Sequence, residues 1–229
     1  MTASALWLAP EPLLLASASA TRRDLLTGAG LPVETAPARI DERALEAEGG
    51  ALAPAELARR LARAKAAEVT ARHPGRIVIG ADQVLECEGR IFHKPADLEA
   101  ARTHLARLQG RTHALHSAVA IRRDGAAEAL VERDFVERDF VEQDFVEQDF
   151  VEQDFVETAR LTMRPLDAGA IDAYLRLAGA AVTTSVGAYQ LEGLGIHLFA
   201  RVEGDHATIL GLPLTPLLAR LRGMGLLAF

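Results

Sequence analysis

"RIVIGADQVL", residues 76–85, decides how the chain is read. It is aliphatic until Gly80, ends in Asp82, and is the clearest buried strand in the sequence. Glu88-Gly89 just beyond it has the chemistry of a hairpin turn. "HKP" (93–95) then leads to a helix from about Ala96, with Leu98, Ala101, Leu105 and Leu108 inward and Gly110 as its stop. On the other side, Pro54 opens a helix that reaches about Arg72, since proline is tolerated in a first turn. Its stripe is Leu57, Leu61, Lys65 and Val69, and a lysine on an apolar stripe ordinarily snorkels to solvent.

Further out, Leu13–Ala16 reads as a short buried strand. A helix follows from about Thr21, with Leu25, Leu26 and Ala29 on one face and Gly30 as its stop, and residues 31–36 form a second strand. Towards the C-terminus, 112–122 and 156–164 read as strands, and Asp167 caps a helix carrying Ile171, Tyr174 and Leu175. "GAYQLEGLG" (187–195) is a glycine-rich turn before strands near 196–203 and 206–210, and Pro213 begins the last helix. Strands and helices intermix without regular βαβ alternation. The expected class is therefore α/β, a mixed, twisted β-sheet flanked by helices with a cleft.

Composition narrows the function. The 229 residues provide an ample core, and no apolar run approaches the ~20 residues of a membrane span. Cys87 is the only cysteine, which excludes a disulfide framework and a cysteine-based zinc site and fits a reducing cytoplasm. The net charge of −7 is unevenly placed. Residues 131–155 are five tandem pentads, VERDF twice and VEQDF three times. Their five Glu, five Asp and two Arg carry −8, which leaves +1 for the other 204 residues. Nothing points to a nucleic-acid-binding surface. A period of five suits neither a helical stripe nor a one-faced strand, so the repeat reads as a loop extension between two strands, or else as a self-associating or partner-binding segment.

Polar groups gather at the ends of apolar elements. "LLLASASATRRDLL" (13–26) is either a capped helix with surface arginines or a phosphate site built on a helix N-terminus. A cleaved signal peptide is disfavoured, because the apolar core is too short and no Lys or Arg precedes it. Asp82 at a buried strand lies where α/β sheets place ligands. Asp41-Glu42 and Asp82 are carboxylates suited to a hard divalent ion, and Lys65 and Lys94 add positive charge. Together these groups suit phosphoryl chemistry. His113 and His116 lie three apart on one strand and make a poor metal pair.

"LASASATRRDLL", "RIDE", "LARAKA", "VIGADQVLECEGRIFHKP", "GRTH", "GAYQLEGLG" and "VEGDHATILGLPL" follow in order. Over residues 13–223, the repeat excepted, this resembles the Maf family of nucleoside triphosphate pyrophosphatases. The resemblance implies a Maf/inosine triphosphatase-like architecture and a single domain over 1–229, with the repeat at 131–155 inserted in a strand–strand connection. It implies cleavage between the α and β phosphates of non-standard nucleotides, a divalent cation (Mg²⁺ or Mn²⁺), a cytoplasmic location and a possible homodimer. By position, Asp82 matches the catalytic acid that accepts water's proton. Ser17, Ser19, Arg22, Lys65 and Lys94 fall at the substrate phosphates, with Arg23 a surface neighbour. Glu42 and Asp82 fall at the metal, and Thr21, Gln83 and Glu192 at the specificity positions. Asp82-Gln83 with Glu192 in "LEG" is similar to the branch acting on 7-methyl-GTP. A carboxylate can accept from the N1–H and amino group of a guanine. Three positions depart from the pattern: Ala20 replaces a proline, Thr21 is smaller than expected, and His93 stands in place of a glycine. The family's link to septum formation offers a rival role, a nucleotide-sensing interaction protein with little turnover.

Overall fold

The computed structural model describes residues 6–50, 52–124 and 150–229. Strands β1 (Leu13–Leu15), β2 (Val33–Thr35), β3 (Val78–Cys87), β4 (Arg90–Phe92), β5 (Thr112–Asp124), β6 (Phe150–Met163) and β7 (Phe199–Glu203) form one sheet in the order β2-β1-β3-β5-β6-β7. Pairings of β1 with β2 and β3 are parallel, whereas β3–β5, β5–β6 and β6–β7 are antiparallel. The expected mixed α/β sheet is what forms.

One face of the sheet is covered by α3 (Pro54–Arg72). Its inward stripe carries Leu57, Leu61 and Val69 together with the small residues Ala58, Ala62 and Ala66. The alanines bring the helix close to β3. A Cβ added to Gly80 would lie 2.7 Å from Ala66 N, and closer still to Ala62 O, so glycine is required there. On the opposite face, α1 (Ala20–Gly28) and α7 (Leu214–Gly223) enclose a core of Leu13, Leu26, Ile79, Ile121, Leu217 and Leu221. Further along that face, α4 (Leu98–Leu108) and α5 (Ala168–Ala178) enclose Leu85, Leu105, Leu108, Leu161, Met163 and Ile171. Asp97 and Asp167 cap α4 and α5 by accepting from Ala100 N at 2.8 Å and Ala170 N at 2.7 Å. Such a cap contributes about 1 kcal/mol.

The layout that matters is on one edge of β3. Strand β5 pairs along β3 from Val78 to Glu86. The other edge is shared: β1 pairs only with Val78 and Ile79, and β4 only with Leu85 to Cys87. The β3–β4 hairpin turns on Glu88 (φ 52°) and Gly89 (φ 78°), as the sequence suggested. Between β1 and β4 the sheet parts, and Asp82 sits at that opening, in mid-strand rather than at a strand end.

Two local expectations are corrected. Residues 206–210 are not a strand: α6 (His206–Ile209) forms there because Asp205 caps it, its Oδ2 accepting from Thr208 N at 3.0 Å. Leu98 is not inward but 49% exposed, because Asp97 makes it the first residue of α4, at the helix's open end.

The repeat divides. Residues 125–149 lie outside the described residues, so the reading of an extension falls mostly there. The last copy, however, is strand rather than insertion. β6 begins at Phe150, and the side chains of 152–155 are placed by pairing with β5. Asp154 faces Arg59 and Arg63 on α3. Phe155, on the opposite face, is buried under the Arg220 guanidinium, 3.8 Å from the ring centre. Alternation makes the odd period harmless when a single copy is used. Deleting 131–150 therefore retains a complete last pentad and is expected to leave folding and activity near those of the parent. Deleting 131–155 removes Phe155 and Asp154, and is expected to cost about 2–4 kcal/mol. Paired thermal unfolding curves check this, and equal stability of the two deletions would contradict it.

Candidate active site

Ser17, Ser19, Thr21, Arg22, Glu42, Lys65, Asp82, Gln83, Lys94 and Glu192, drawn from regions far apart in the chain, all line one cleft of about 1230 Å³. Its floor is the opening in the sheet. Because α3 packs tightly on Gly80, Lys65 faces β3 instead of snorkelling outward. Its Nζ donates to Asp82 Oδ1 at 2.5 Å and lies 2.8 Å from Glu42 Oε1. Lys65 and Asp82 are both buried, whereas Glu42, at the start of α2 (Glu42–Gly49), is half exposed.

Burial pushes the Asp82 carboxyl above the usual carboxylate range. The positive charges of Lys65 and Arg22 oppose that rise, and Glu42 adds to it. The Arg22 guanidinium is lowered by burial, against the opposing pull of Asp82 and Glu42. A buried charge pair of this kind is costly to form and more costly to break, because removing one partner strands the other.

The capped-helix reading of residues 13–26 is what forms, but only one of its two arginines stays on the surface. Ser19 is the N-cap of α1, its Oγ accepting from Arg22 N at 3.3 Å. Ala20 takes the first helical position, where proline is favoured but not required. Arg22 then folds back into the cleft. Its Nε donates to Gly211 O at 2.9 Å, and Nη1 donates to Ala81 O at 2.7 Å and to Ser17 Oγ at 3.3 Å. Ala81 is where β3 has neither β1 nor β4 beside it, so arginine supplies the donor that a strand would have given. Arg23 is a surface neighbour, paired with Asp24 at 2.8 Å.

Strand alternation sends Asp82 and Gln83 to opposite faces. Both reach the cleft only because the sheet parts there. Gln83 Nε2 is committed to Ser117 Oγ (2.9 Å), Ile209 O (3.0 Å) and Thr208 O (3.2 Å), which ties β3 to α6. That anchoring was not legible in the sequence. Lys94 is exposed on the rim and makes no ion pair among the described residues, while the neighbouring His93 approaches Glu46 at 3.5 Å. Glu192 is exposed on the opposite wall. That wall, Thr184 to Glu192, also includes Ser185, Tyr189 and Gln190, none of which the motif reading picked out. The "GAYQ" block was the only signal for Tyr189 and Gln190, and Ser185 had none. His113 and His116 are separated as expected, His113 bonding to Tyr189 and His116 to Thr158.

Among the described residues, no three His, Cys, Asp or Glu side chains converge as a metal cage. Glu42 and Asp82 nevertheless meet at one ammonium, so two hard oxygen donors already surround a cation position. That donor set suits an ion of the magnesium type, which takes one or two carboxylates and completes its shell with substrate phosphates and water. No helix among the described residues is long and apolar enough to cross a membrane.

A family model described as "Maf-like protein" matches residues 12–224. A protein of Nitrobacter winogradskyi named nucleoside triphosphate pyrophosphatase is 53% identical over 224 residues, covering 98% of this chain and 99% of the relative. One of Rhodopseudomonas palustris with the same name is 49% identical, covering 97% and 98%. A protein of Mesorhizobium japonicum named 7-methyl-GTP pyrophosphatase is 47% identical over 217 residues, covering 94% and 97%.

Proposed function

The chain belongs to the Maf family, and from that premise we propose that it is a nucleoside triphosphate pyrophosphatase, releasing pyrophosphate and the nucleoside monophosphate. The observation that carries the reading is Lys65 held between Asp82 and Glu42 at the opening of the sheet. Asp82 is the general base. Burial makes its carboxylate a stronger base toward water, and the Lys65 ammonium opposes its protonation. Lys65, Arg22 and the mobile-stemmed Lys94 neutralise the triphosphate, and α1 directs its first N–H groups to the same place. Arg22, held by three oxygens, contributes a fixed charge rather than a seeking one. Glu42 and Asp82 would hold a divalent cation, which when bound screens the phosphate charge and polarises the scissile bond. A homodimer and a cytoplasmic location belong to the same reading. The intact Asp82–Lys65–Glu42 constellation favours turnover over nucleotide sensing alone.

The test is product analysis over a panel of triphosphates, with and without Mg²⁺ or Mn²⁺. Pyrophosphate and monophosphate in equal amounts are expected. Orthophosphate release, or no release from any triphosphate, would overturn the reading.

For the base, Glu192 on the far wall favours a guanine-type donor edge, and a relative is named for 7-methyl-GTP. Gln83 acts here chiefly as a support, since its amide nitrogen is committed to Ser117 and α6. Glu192→Gln is therefore expected to weaken 7-methyl-GTP hydrolysis about 10- to 100-fold, the worth of a hydrogen bond to a charged acceptor, with UTP hydrolysis much less affected. Equal losses on both substrates would remove Glu192 from base reading.

A further inference from the structure

The cleft wall from Thr184 to Glu192 contains little regular structure, yet it carries Glu192. It is built around one residue. Tyr189 is buried, and its ring packs edge-on to Phe199, with centroids 4.8 Å apart. Its hydroxyl lies 2.7 Å from Nε2 of His113, which projects from β5 and is 2% exposed. Burial lowers the His113 pKa to about 4, so the pair is neutral across the physiological range.

The backbone of the wall is shaped to deliver that ring. Ala188 adopts φ 59°, a conformation that non-glycine residues take at a cost. Gly187 must lack a Cβ, because one would lie 2.8 Å from Tyr189 Cδ1 and Cζ and closer still to Cε1. Ser185 closes the turn on both sides, donating from Oγ to Tyr189 O at 2.6 Å and accepting from Tyr189 N at 3.1 Å. Gln190 continues the chain of constraints: its carbonyl accepts from Gly193 N and Gly195 N at 3.2 and 3.1 Å.

We propose that the Tyr189–His113 pair is the positioning element of this wall, fixing Gln190 and Glu192 relative to the sheet and so setting how the cleft grips the nucleoside end of its ligand. The inference rests on the pyrophosphatase reading for the identity of the ligand as a nucleotide. Neither residue touches the reacting phosphates. His113 is buried behind the wall, and Tyr189 acts through the residues that follow it. The signature is therefore selective. Loosening the wall weakens contacts to the base and ribose and leaves the phosphate end, on Lys65, Arg22 and Lys94, unchanged.

The experiment measures binding by calorimetry for the parent, Tyr189→Phe, His113→Leu and His113→Gln. The probes are an α,β-methylene nucleoside triphosphate and inorganic tripolyphosphate. Tyr189→Phe and His113→Leu are expected to weaken the nucleotide about 2- to 10-fold, the worth of one neutral hydrogen bond, with tripolyphosphate unchanged. His113→Gln, which keeps a polar group near the Nε2 position, is expected to recover most of the loss. Unchanged nucleotide binding, equal weakening of both probes, or no recovery by glutamine would overturn the proposal. A variant that fails to fold is replaced by Ser185→Ala, which loosens the same turn and must give the same selective loss. Binding is read without turnover. Failure of the parent to release pyrophosphate would therefore refute the proposed activity and leave this inference to be judged on its own result.

Discussion

Asp82→Asn is expected to reduce pyrophosphate release by about 10²-fold or more while nucleotide binding remains measurable. The amide keeps the shape of the carboxylate but cannot take a proton from water, and the Lys65 ammonium that faced it at 2.5 Å retains Glu42 as a partner. A companion measurement separates a base from a structural ion pair. Burial raises the pKa of Asp82 and Lys65 opposes that rise. Lys65→Met removes the opposition, so the folded-state pKa rises further and the protonated, inactive form persists to higher pH. The acid limb of kcat/KM must then move to higher pH, in addition to any fall in the plateau. An acid limb that stays in place, or near-parental turnover in Asp82→Asn, would remove Asp82 from the role of base.

Gly80→Ala is expected to be among the most destabilising single-methyl changes in the chain. The added Cβ would meet the backbone of α3 at Ala62 and Ala66, neither of which is the free end of a flexible side chain. Relief requires moving a 19-residue helix away from the central strand. The cost expected is about 3 kcal/mol, at the upper end for overpacking. For a chain of this size that corresponds to a fall in Tm of about 6–12 °C. Moving α3 also draws Lys65 away from Asp82, so any folded fraction should show reduced turnover. A thermal midpoint within about 2 °C of the parent would show that α3 is not seated as described.

The elements legible in the sequence were those whose signals are local. Proline opens α3, Asp167 caps α5, and Glu88-Gly89 turns the β3–β4 hairpin, each as expected. The errors arose where a local signal was ambiguous. "HATIL" is apolar enough to pass for a strand, and only the Asp205 cap makes it a helical turn. The last pentad matched no period of its own, yet it becomes strand because β5 offers a complete partner and Arg59 and Arg63 receive Asp154. The copies differ only by Arg or Gln at their third position, so no residue marks which copy will be used.

The candidate site divides along the same line. Which residue types exist to handle phosphate was written in the chain: a serine-capped helix start followed by Arg22, an acid in the most buried strand, and two lysines. Their ordered motifs sufficed to place the chain among the Maf proteins. What each group does with its hydrogen bonds was decided only by packing. Lys65 faces inward because alanines and Gly80 bring α3 close. Arg22 is fixed because β1 and β4 leave the Ala81 carbonyl without a strand partner. Gln83 joins the cleft against its own alternation because the sheet parts at that point. Tyr189 finds His113 across 76 residues of chain. Sequence patterns encode preferences over a few residues, whereas these contacts depend on how distant elements pack, and there the tertiary structure alone decides.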